Sequence, residues 1–398
     1  MKNCQNCNSE FEPNSGKQKF CSDKCKVAFS RKRVEVIQEE FSKPTIAKPI
    51  VIDKFISPKT KMVVDKEGIK EKSVSLIMTE EMKKINKDFG EGTIMFFGDK
   101  PNQEYEVIST GSLTLDEALG IGGLPRGRII EIFGWESSGK TTIALNVIAN
   151  AQKKGLKCLL VDAENAFDPE YAESLGVVVG ELKYCQPSCG DEGLEVADRQ
   201  MSTGQVDIVV IDSVAALVPK AELEGQHGDS KMGLHARLMS QTCRKMVGTI
   251  AKHNCICIFI NQFRHNIGGY GNPEVTTGGK ALQFYASIRL EVRRSITDAN
   301  SVMNGDVKEG NQTTVKVVKN KCAPPFRQGK FNILYGIGID RLGEIIDLAV
   351  EKKIIDKAGS WFSFQSSKLG QGKESVRKVL EDNEGLRDEI EKMIILKS

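Results

Sequence analysis

Apolar positions change their spacing several times along the chain, and each change marks an element. Met78, Met82, Ile85 and Phe89 recur at helical spacing, and Gly90 is placed to end that helix. Thr93 to Phe97 reads as a short strand. Strand candidates follow at Ile129 to Phe133, Lys157 to Val161, Val206 to Ile211 and Cys255 to Ile260, with unbroken apolar stretches of strand length at Ile208 to Ile211 and Ile256 to Ile260. Helical stretches such as Thr142 to Gln152 lie between them. From about Tyr105 to Gly336 this alternation predicts βαβ units and a mainly parallel sheet. Leu342 to Glu351 and Val376 to Leu380 predict helices of a small terminal lobe. Between Val34 and Lys72 the pattern dissolves. Pro44, Pro49 and Pro58 stand there among lysines and glutamates, which predicts an extended linker with at most a short helix at Val34 to Phe41.

Composition narrows the class. The 398 residues are 40% hydrophobic and 27% charged, as in an ordinary globular protein, and the length favours more than one folded unit. No apolar run approaches the ~18 residues that span a bilayer, so no membrane partner is expected. The net charge of +3 is too small to steer nucleic acid by itself, and any such surface must be a local patch. Met1-Lys2 leads into a polar segment without a secretory pattern. With an odd number of cysteines, 11, this points to the reducing cytoplasm and to metal or free thiols.

The chemistry begins at Gly134-Trp135-Glu136-Ser137-Ser138-Gly139-Lys140-Thr141, which satisfies the phosphate-loop pattern G-x4-G-K-[ST] between a strand and a helix. Backbone N–H groups there can turn around phosphate oxygens, and the helix N-terminus adds its positive end. Lys140 would reach the β- and γ-phosphates and Thr141 would bind Mg²⁺. A ligand-free glycine turn is the bland alternative, and the strand–loop–helix context disfavours it. As a second element, the strand Val206 to Ile211 leads into Asp212, a carboxylate for the Mg²⁺ shell. Glu164, after the strand ending at Asp162, could polarise water or merely cap a helix; spacing leaves both open.

Four further cysteines open the chain as Cys4-x2-Cys7 and Cys21-x3-Cys25. Four thiolates at such spacing can close a tetrahedral Zn²⁺ site of the zinc-ribbon or treble-clef kind, with redox thiols or a disordered arm as alternatives. Residues 1–34 are too few to build a core, so metal would supply the folding energy, ~10–16 kcal/mol in comparable peptides. They carry eight basic and three acidic side chains, or +5, and Arg31-Lys32-Arg33 follows the last ligand. The expected role is an auxiliary knuckle that docks DNA or a partner. Cys185-x3-Cys189 has no second half and reads as packing, as do Cys255 and Cys257.

From about Ser73 to Leu396 the sequence resembles the bacterial RecA recombinases. The resemblance rests on Glu136 to Thr142, Asp162-Ala-Glu-Asn-Ala-Phe-Asp-Pro-Glu-Tyr171, Gly228-Asp-Ser-Lys-Met-Gly233 and Phe259-Ile-Asn-Gln262. Gly271-Asn-Pro-Glu274, Phe284 to Leu290 and Lys316-Val-Val-Lys-Asn-Lys321 extend it. It implies an α/β fold with a RecA-type P-loop NTPase core and mainly parallel central sheet, a small N-terminal helix–strand polymerisation element and a small α/β C-terminal domain. The implied divisions are a cysteine module at 1–34, a linker at 35–72, the polymerisation element at 73–101, the ATPase core at 102–340 and a C-terminal domain at 341–398.

The implied activity is DNA-dependent ATP hydrolysis by a helical filament on single-stranded DNA, with pairing and strand exchange against homologous duplex. Activation of self-cleavage in a LexA-like repressor is a further implied output. Glu164 matches the catalytic base, Asp168 and Tyr171 match positions that hold adenine, and Gln262 matches the γ-phosphate sensor. Lys319 and Lys321 match lysines that reach the neighbouring subunit's ATP, as arginine fingers do. DNA contacts are implied for Met232, Arg237, Arg244, Arg264, Gly278 and Gly279, in and beside the loops Glu222 to Met232 and Gln262 to Gly279. Arginines there would set affinity, not sequence choice.

Departures from the family are the cysteine module, Trp135 where proline is usual, and Asn266 where lysine is usual. The RadA branch, which carries a four-cysteine module, would have Lys-Asn-Arg-Phe-Gly where Lys319-Asn-Lys-Cys-Ala323 stands. A non-hydrolysing DNA scaffold is the alternative of another class; Lys140, Asp212 and Glu164 together argue against it.

Overall fold

The computed structural model describes residues 2–4, 7, 9–12, 20–22, 25, 74–90, 93–94, 105–225, 233–265, 274–295, 301–304, 307–365 and 367–397. The chain divides into two units, Met1–Phe96 and Phe97–Ser398. The linker expected at 35–72 lies outside the described residues.

In the first unit, β1 (Lys2–Asn3) and β2 (Glu10–Phe11) pair antiparallel around the first cysteines. Helix α1 (Val74–Phe89) ends at Gly90, whose φ of +103° suits a residue without Cβ. Its apolar stripe is only partly covered: Met82 and Ile85 are half-buried, whereas Phe89 is 77% exposed. The strand expected at Thr93 to Phe97 is not formed over Thr93 and Ile94. They make a turn in which the Asn86 carboxamide donates to Ile94 O (3.0 Å) and accepts from Ile94 N (2.9 Å). Residues 95–97 lie outside the described residues.

The second unit opens with β3 (Val107–Ile108), α2 (Leu113–Leu119) and β4 (Leu124–Pro125). Then β5 (Arg128–Gly134), α3 (Lys140–Lys153), β6 (Cys158–Asp162), α4 (Pro169–Ser174) and β7 (Lys183–Cys185) alternate. They are followed by α5 (Gly190–Ser202), β8 (Ile208–Asp212), α6 (Lys220–Leu223), α7 (Leu234–Lys252) and β9 (Ile256–His265). Short β10 (Glu274–Thr276) and α8 (Ala281–Tyr285) lead into β11 (Ile288–Arg294). The antiparallel strands β12 (Ser301–Asn304), β13 (Val307–Asn320), β14 (Gln328–Leu334) and β15 (Gly338–Ile339) close the core.

These strands form one sheet in the order β15-β14-β13-β11-β5-β9-β8-β6-β7, with β10 on β9 and β12 on β13. From β11 to β7 every pairing is parallel; beyond β11 the sheet turns antiparallel. Period-2 alternation sends successive side chains to opposite faces. Ile130, Ile132, Leu160, Ile208, Val210, Ile256 and Ile258 pack under α3. Leu159, Val161, Val209, Ile211, Cys257 and Phe259 pack against α5 and α7 through Met201, Met239 and Met246. Phe259 is fully buried, and truncating such a ring to alanine costs ~3–5 kcal/mol.

The C-terminal lobe joins α9 (Arg341–Glu351) to a three-stranded antiparallel sheet of β16 (Asp356–Ala358), β17 (Trp361–Phe364) and β18 (Ser367–Gln371). Helices α10 (Lys373–Asp382) and α11 (Glu384–Leu396) complete it. Ile345, Phe362, Phe364, Val376, Leu380 and Ile390 make its separate core.

Candidate functional site

The parallel strands deliver their C-terminal ends to one edge, where open α/β sheets bind ligands. There Gly134 of β5 sits in register with Gln262 of β9, and Asp212 of β8 with Asp162 of β6. Adding a Cβ to Gly134 would bring it within 2.2 Å of Val292 O, so the loop leaves the sheet at a place no side chain fits. Ser137 and Gly139 take φ of +53° and +97°, and a Cβ on Gly139 would meet Ile333 Cδ1 at 2.4 Å. Gly139 is the N-cap of α3 and offers no side-chain bond to that helix's first N–H groups. Ser138 Oγ is buried without a hydrogen-bond partner. Orphan donors, a helix N-terminus and a buried lysine thus converge, and a polyphosphate fits them.

Lys140 Nζ donates to Trp135 O at 2.7 Å. Burial pulls its pKa below the usual lysine value, against the opposing charges of Asp212, Glu164 and Glu136. Thr141 Oγ1 donates to Asp212 Oδ2 at 2.7 Å, the hydroxyl–carboxylate pair that suits Mg²⁺. Burial raises Asp212 to about 6, with Glu164 adding repulsion and the Thr141 bond opposing.

Beside this pair, Glu164 Oε1 accepts from Gln262 Nε2 at 2.7 Å and from Ser213 Oγ in a short bond. The backbone of the Glu164 turn is fixed from β8, because Ala163 N and Glu164 N both donate to Asp212 O (2.7 and 3.3 Å). Asp162 closes the same turn by accepting from Phe167 N and Tyr184 OH. A carboxylate anchored this way can take a proton from water while its partners hold it in place.

Behind the phosphate loop lies a cavity of about 460 Å³, lined by Thr142, Tyr171 and residues 333–336. Tyr171 OH pairs with Thr142 Oγ1 at 2.9 Å, and Asp168 caps α4 by accepting from Tyr171 N at 3.0 Å. Sequence reasoning missed Arg294, Asn311 and Tyr335, which also line it. Asn311 Nδ2 donates to Tyr335 OH at 2.5 Å while its Oδ1 is buried without a partner. All three stand on or next to the antiparallel extension, and no local motif announces them.

Lys319 and Lys321 are not brought to this cavity. Antiparallel pairing of β13 with β11 sets Lys319 opposite Arg289, beside Glu131 and well before Gly134. Lys319 Nζ donates to Gln283 O (2.6 Å) and Phe284 O (2.9 Å), burial lowers its pKa, and Lys321 is exposed.

Arg237, Arg244 and Arg264 are exposed. Gly278 and Gly279 lie on the path back from β10 at φ of +77° and +73°, pressed against Val214, Met239 and Ala236, so backbone geometry demands them. The loop expected at Glu222 to Met232 begins inside α6. Met232 and Asn266 lie outside the described residues.

Residues 76–340 match the RecA N-terminal domain family and residues 343–398 match the RecA C-terminal domain family. The chain belongs to the RecA family. It is 52% identical over 334 residues to Protein RecA of Clostridioides difficile (strain 630), covering 84% of this chain and 93% of that one. To Protein RecA of Bifidobacterium longum (strain NCC 2705) it is 56% identical over 311 residues, covering 78% and 77%. Protein RecA of Latilactobacillus sakei subsp. sakei (strain 23K) is 54% identical over 310 residues, covering 78% and 86%. As a member of this family, the chain is a DNA-dependent ATPase of homologous recombination and repair that uses ATP and Mg²⁺, binds DNA and assembles with its own kind.

Residues 1–75 lie outside both RecA matches. There the Sγ atoms of Cys4, Cys7, Cys21 and Cys25 all fall within 4.8 Å of one another, the one such group of possible metal ligands among the described residues. Cys21 Sγ is 3.6 Å from both Cys7 Sγ and Cys25 Sγ, close to the ~3.8 Å that tetrahedral Zn–S bonds impose. Cys185 and Cys189 join no such group, and Cys255 and Cys257 are fully buried. No described helix is long and apolar enough to cross a membrane.

Proposed function

We propose that ATP lies between protomers of a filament on single-stranded DNA, with its phosphates on Gly134, Glu136, Ser137, Ser138, Gly139, Lys140, Thr141 and Thr142. Thr141 and Asp212 hold Mg²⁺, which neutralises phosphate charge when bound. Glu164 is the base for the attacking water, and Gln262 carries word of the γ-phosphate to the DNA loop that follows it. Asp168 and Tyr171 hold adenine. Lys319 and Lys321 complete the neighbour's site, since they stand away from their own cavity. DNA lies against Met232, Arg237, Arg244, Arg264, Gly278 and Gly279. The filament pairs this strand with homologous duplex and, in the cytoplasm, activates self-cleavage of a LexA-like repressor.

By the same reading, residues 73–101 dock on the next protomer, 102–340 form the ATPase core and 341–398 the C-terminal domain. Residues 1–34 close on Zn²⁺ through Cys4, Cys7, Cys21 and Cys25 and dock DNA or a partner on the 35–72 tether. The observation that carries the enzymatic reading is the Glu164 carboxylate, clamped by Gln262 and Ser213 at the strand edge that holds Lys140 and the Thr141–Asp212 pair. Glu164→Gln should keep ATP and DNA binding and lower turnover by ~10²–10⁴. Turnover within threefold of the unaltered protein would remove Glu164 from the role of base.

A further inference from the structure

Trp135 is the second residue of the phosphate loop, and its indole packs on Phe263, His265 and Glu274. It lies over the two strands that carry the ends of the second DNA loop. Its ring centroid is 4.8 Å from that of His265 and 5.6 Å from that of Phe263, both on β9. Its Nε1 donates to Glu274 Oε1 at 3.0 Å on β10. Glu274 and His265 face each other across the β9–β10 ladder, His265 as the last residue of β9 and Glu274 as the first of β10. The second Glu274 oxygen takes Arg293 at 2.5 Å, and the Arg293 guanidinium lies 5.4 Å from the Phe263 ring. One side chain of the phosphate loop therefore touches both roots of the DNA loop. The Lys140 ammonium, which a phosphate would engage, donates to the Trp135 carbonyl at 2.7 Å.

We propose that Trp135 is a positioning residue that couples the phosphate loop to the DNA loop, in addition to the Gln262 contact. The inference rests on the RecA reading of both loops. The indole is rigid, with two χ angles, and is held by tilted ring contacts on one strand and by a hydrogen bond on the other. A shift of the phosphate-loop backbone therefore moves the β9–β10 ladder, and a shift of the ladder moves the loop. Proline at this position has neither a ring that reaches His265 nor a donor for Glu274. Such a link is a coupling free energy, so it acts equally in both directions: ATP tightens DNA by the factor by which DNA tightens ATP.

The test measures that factor. Affinity for a fluorescent single-stranded oligonucleotide is titrated with and without a slowly hydrolysed ATP analogue, for the full chain, Trp135→Phe and Trp135→Ala. The ratio of the two affinities isolates the coupling whatever the substitution does to either affinity alone. Trp135→Ala should lower the ratio about fivefold. Trp135→Phe keeps an aromatic ring against β9, loses the Glu274 bond and should fall between, which separates lost coupling from lost folding. The chain has two tryptophans, so Trp361→Phe leaves Trp135 as the sole indole reporter. Its emission should shift on adding the ATP analogue without DNA, and again on adding DNA without nucleotide. An unchanged ratio in both variants, or an indole silent to either ligand, would overturn the coupling alone. Failure of the unaltered chain to bind the nucleotide or the oligonucleotide would overturn the RecA reading and the coupling with it.

Discussion

Glu344 offers a quantitative test of how the C-terminal lobe is fastened to the ATPase core. It stands on α9, is 5% exposed, and accepts four hydrogen bonds from the start of α2. Ser112 Oγ and Thr114 Oγ1 donate at 2.7 Å, Thr114 N at 3.2 Å and Leu113 N at 3.3 Å. Desolvation outweighs those donors and lifts its pKa from 4.5 to about 7. A carboxyl raised on folding stabilises fully below its unfolded pKa, and that stability is lost as pH climbs through the folded value. Each pKa unit is worth ~1.4 kcal/mol, so the total is roughly 3 kcal/mol, most of it between pH 5 and pH 8.5. Glu344→Gln does not titrate. It carries a pH-independent cost for facing N–H donors with an amide. Relative to the unaltered chain, it should therefore gain on the order of 2–3 kcal/mol on going from pH 5 to pH 8.5. Denaturant unfolding followed by Trp361, which sits on β17 of the same lobe, reads this difference. A variant-minus-parent difference equal at both pH values, or larger in favour of the variant at pH 5, would refute the burial argument.

Other consequences concern the active assembly and the cysteine module. Lys319→Ala with Lys321→Ala should be inactive alone, yet mixed with Lys140→Ala it should recover part of the turnover, because intact sites form only between unlike protomers; no recovery would place the lysines in their own site. Gly139→Ala should lose ATP binding by at least tenfold, since its φ of +97° is strained for alanine and the new Cβ meets Ile333; equilibrium dialysis with labelled ATP decides it. Metal analysis should find one zinc per chain, released by a thiol-reactive mercurial and absent in Cys7→Ser with Cys21→Ser; zinc retained by that variant would move the site elsewhere.

The parallel half of the sheet was legible because buried strands read as apolar runs and each ends at chemistry. The strands ending at Gly134, Asp162 and Asp212 lie within one or two residues of the expected bounds. The phosphate loop was legible for a related reason: its glycines, lysine and threonine are consecutive. The Thr141–Asp212 and Gln262–Glu164 contacts join residues 71 and 98 positions apart. Only parallel registration of β8 and β9 brings them together, and a motif scan sees each half alone. Arg294, Asn311 and Tyr335 escaped for the same reason, being placed by an antiparallel extension whose strands mix polar and apolar positions. The terminal lobe showed its helices through Leu342 to Glu351, whereas β16 is wholly exposed and β18 buries only Leu369, leaving little alternation to read. Trp135 reads as a variable position in the pattern, and its contacts appear only once β9 and β10 are paired.

ATP turnover by the purified protein with and without single-stranded DNA, at low and moderate salt, decides whether the strand-edge site is a DNA-dependent ATPase. DNA should stimulate turnover strongly, less so as salt rises, and Lys140→Ala should abolish it. Turnover indifferent to DNA, or no turnover while ATP and DNA both bind, would contradict it and leave a DNA-binding scaffold in its place.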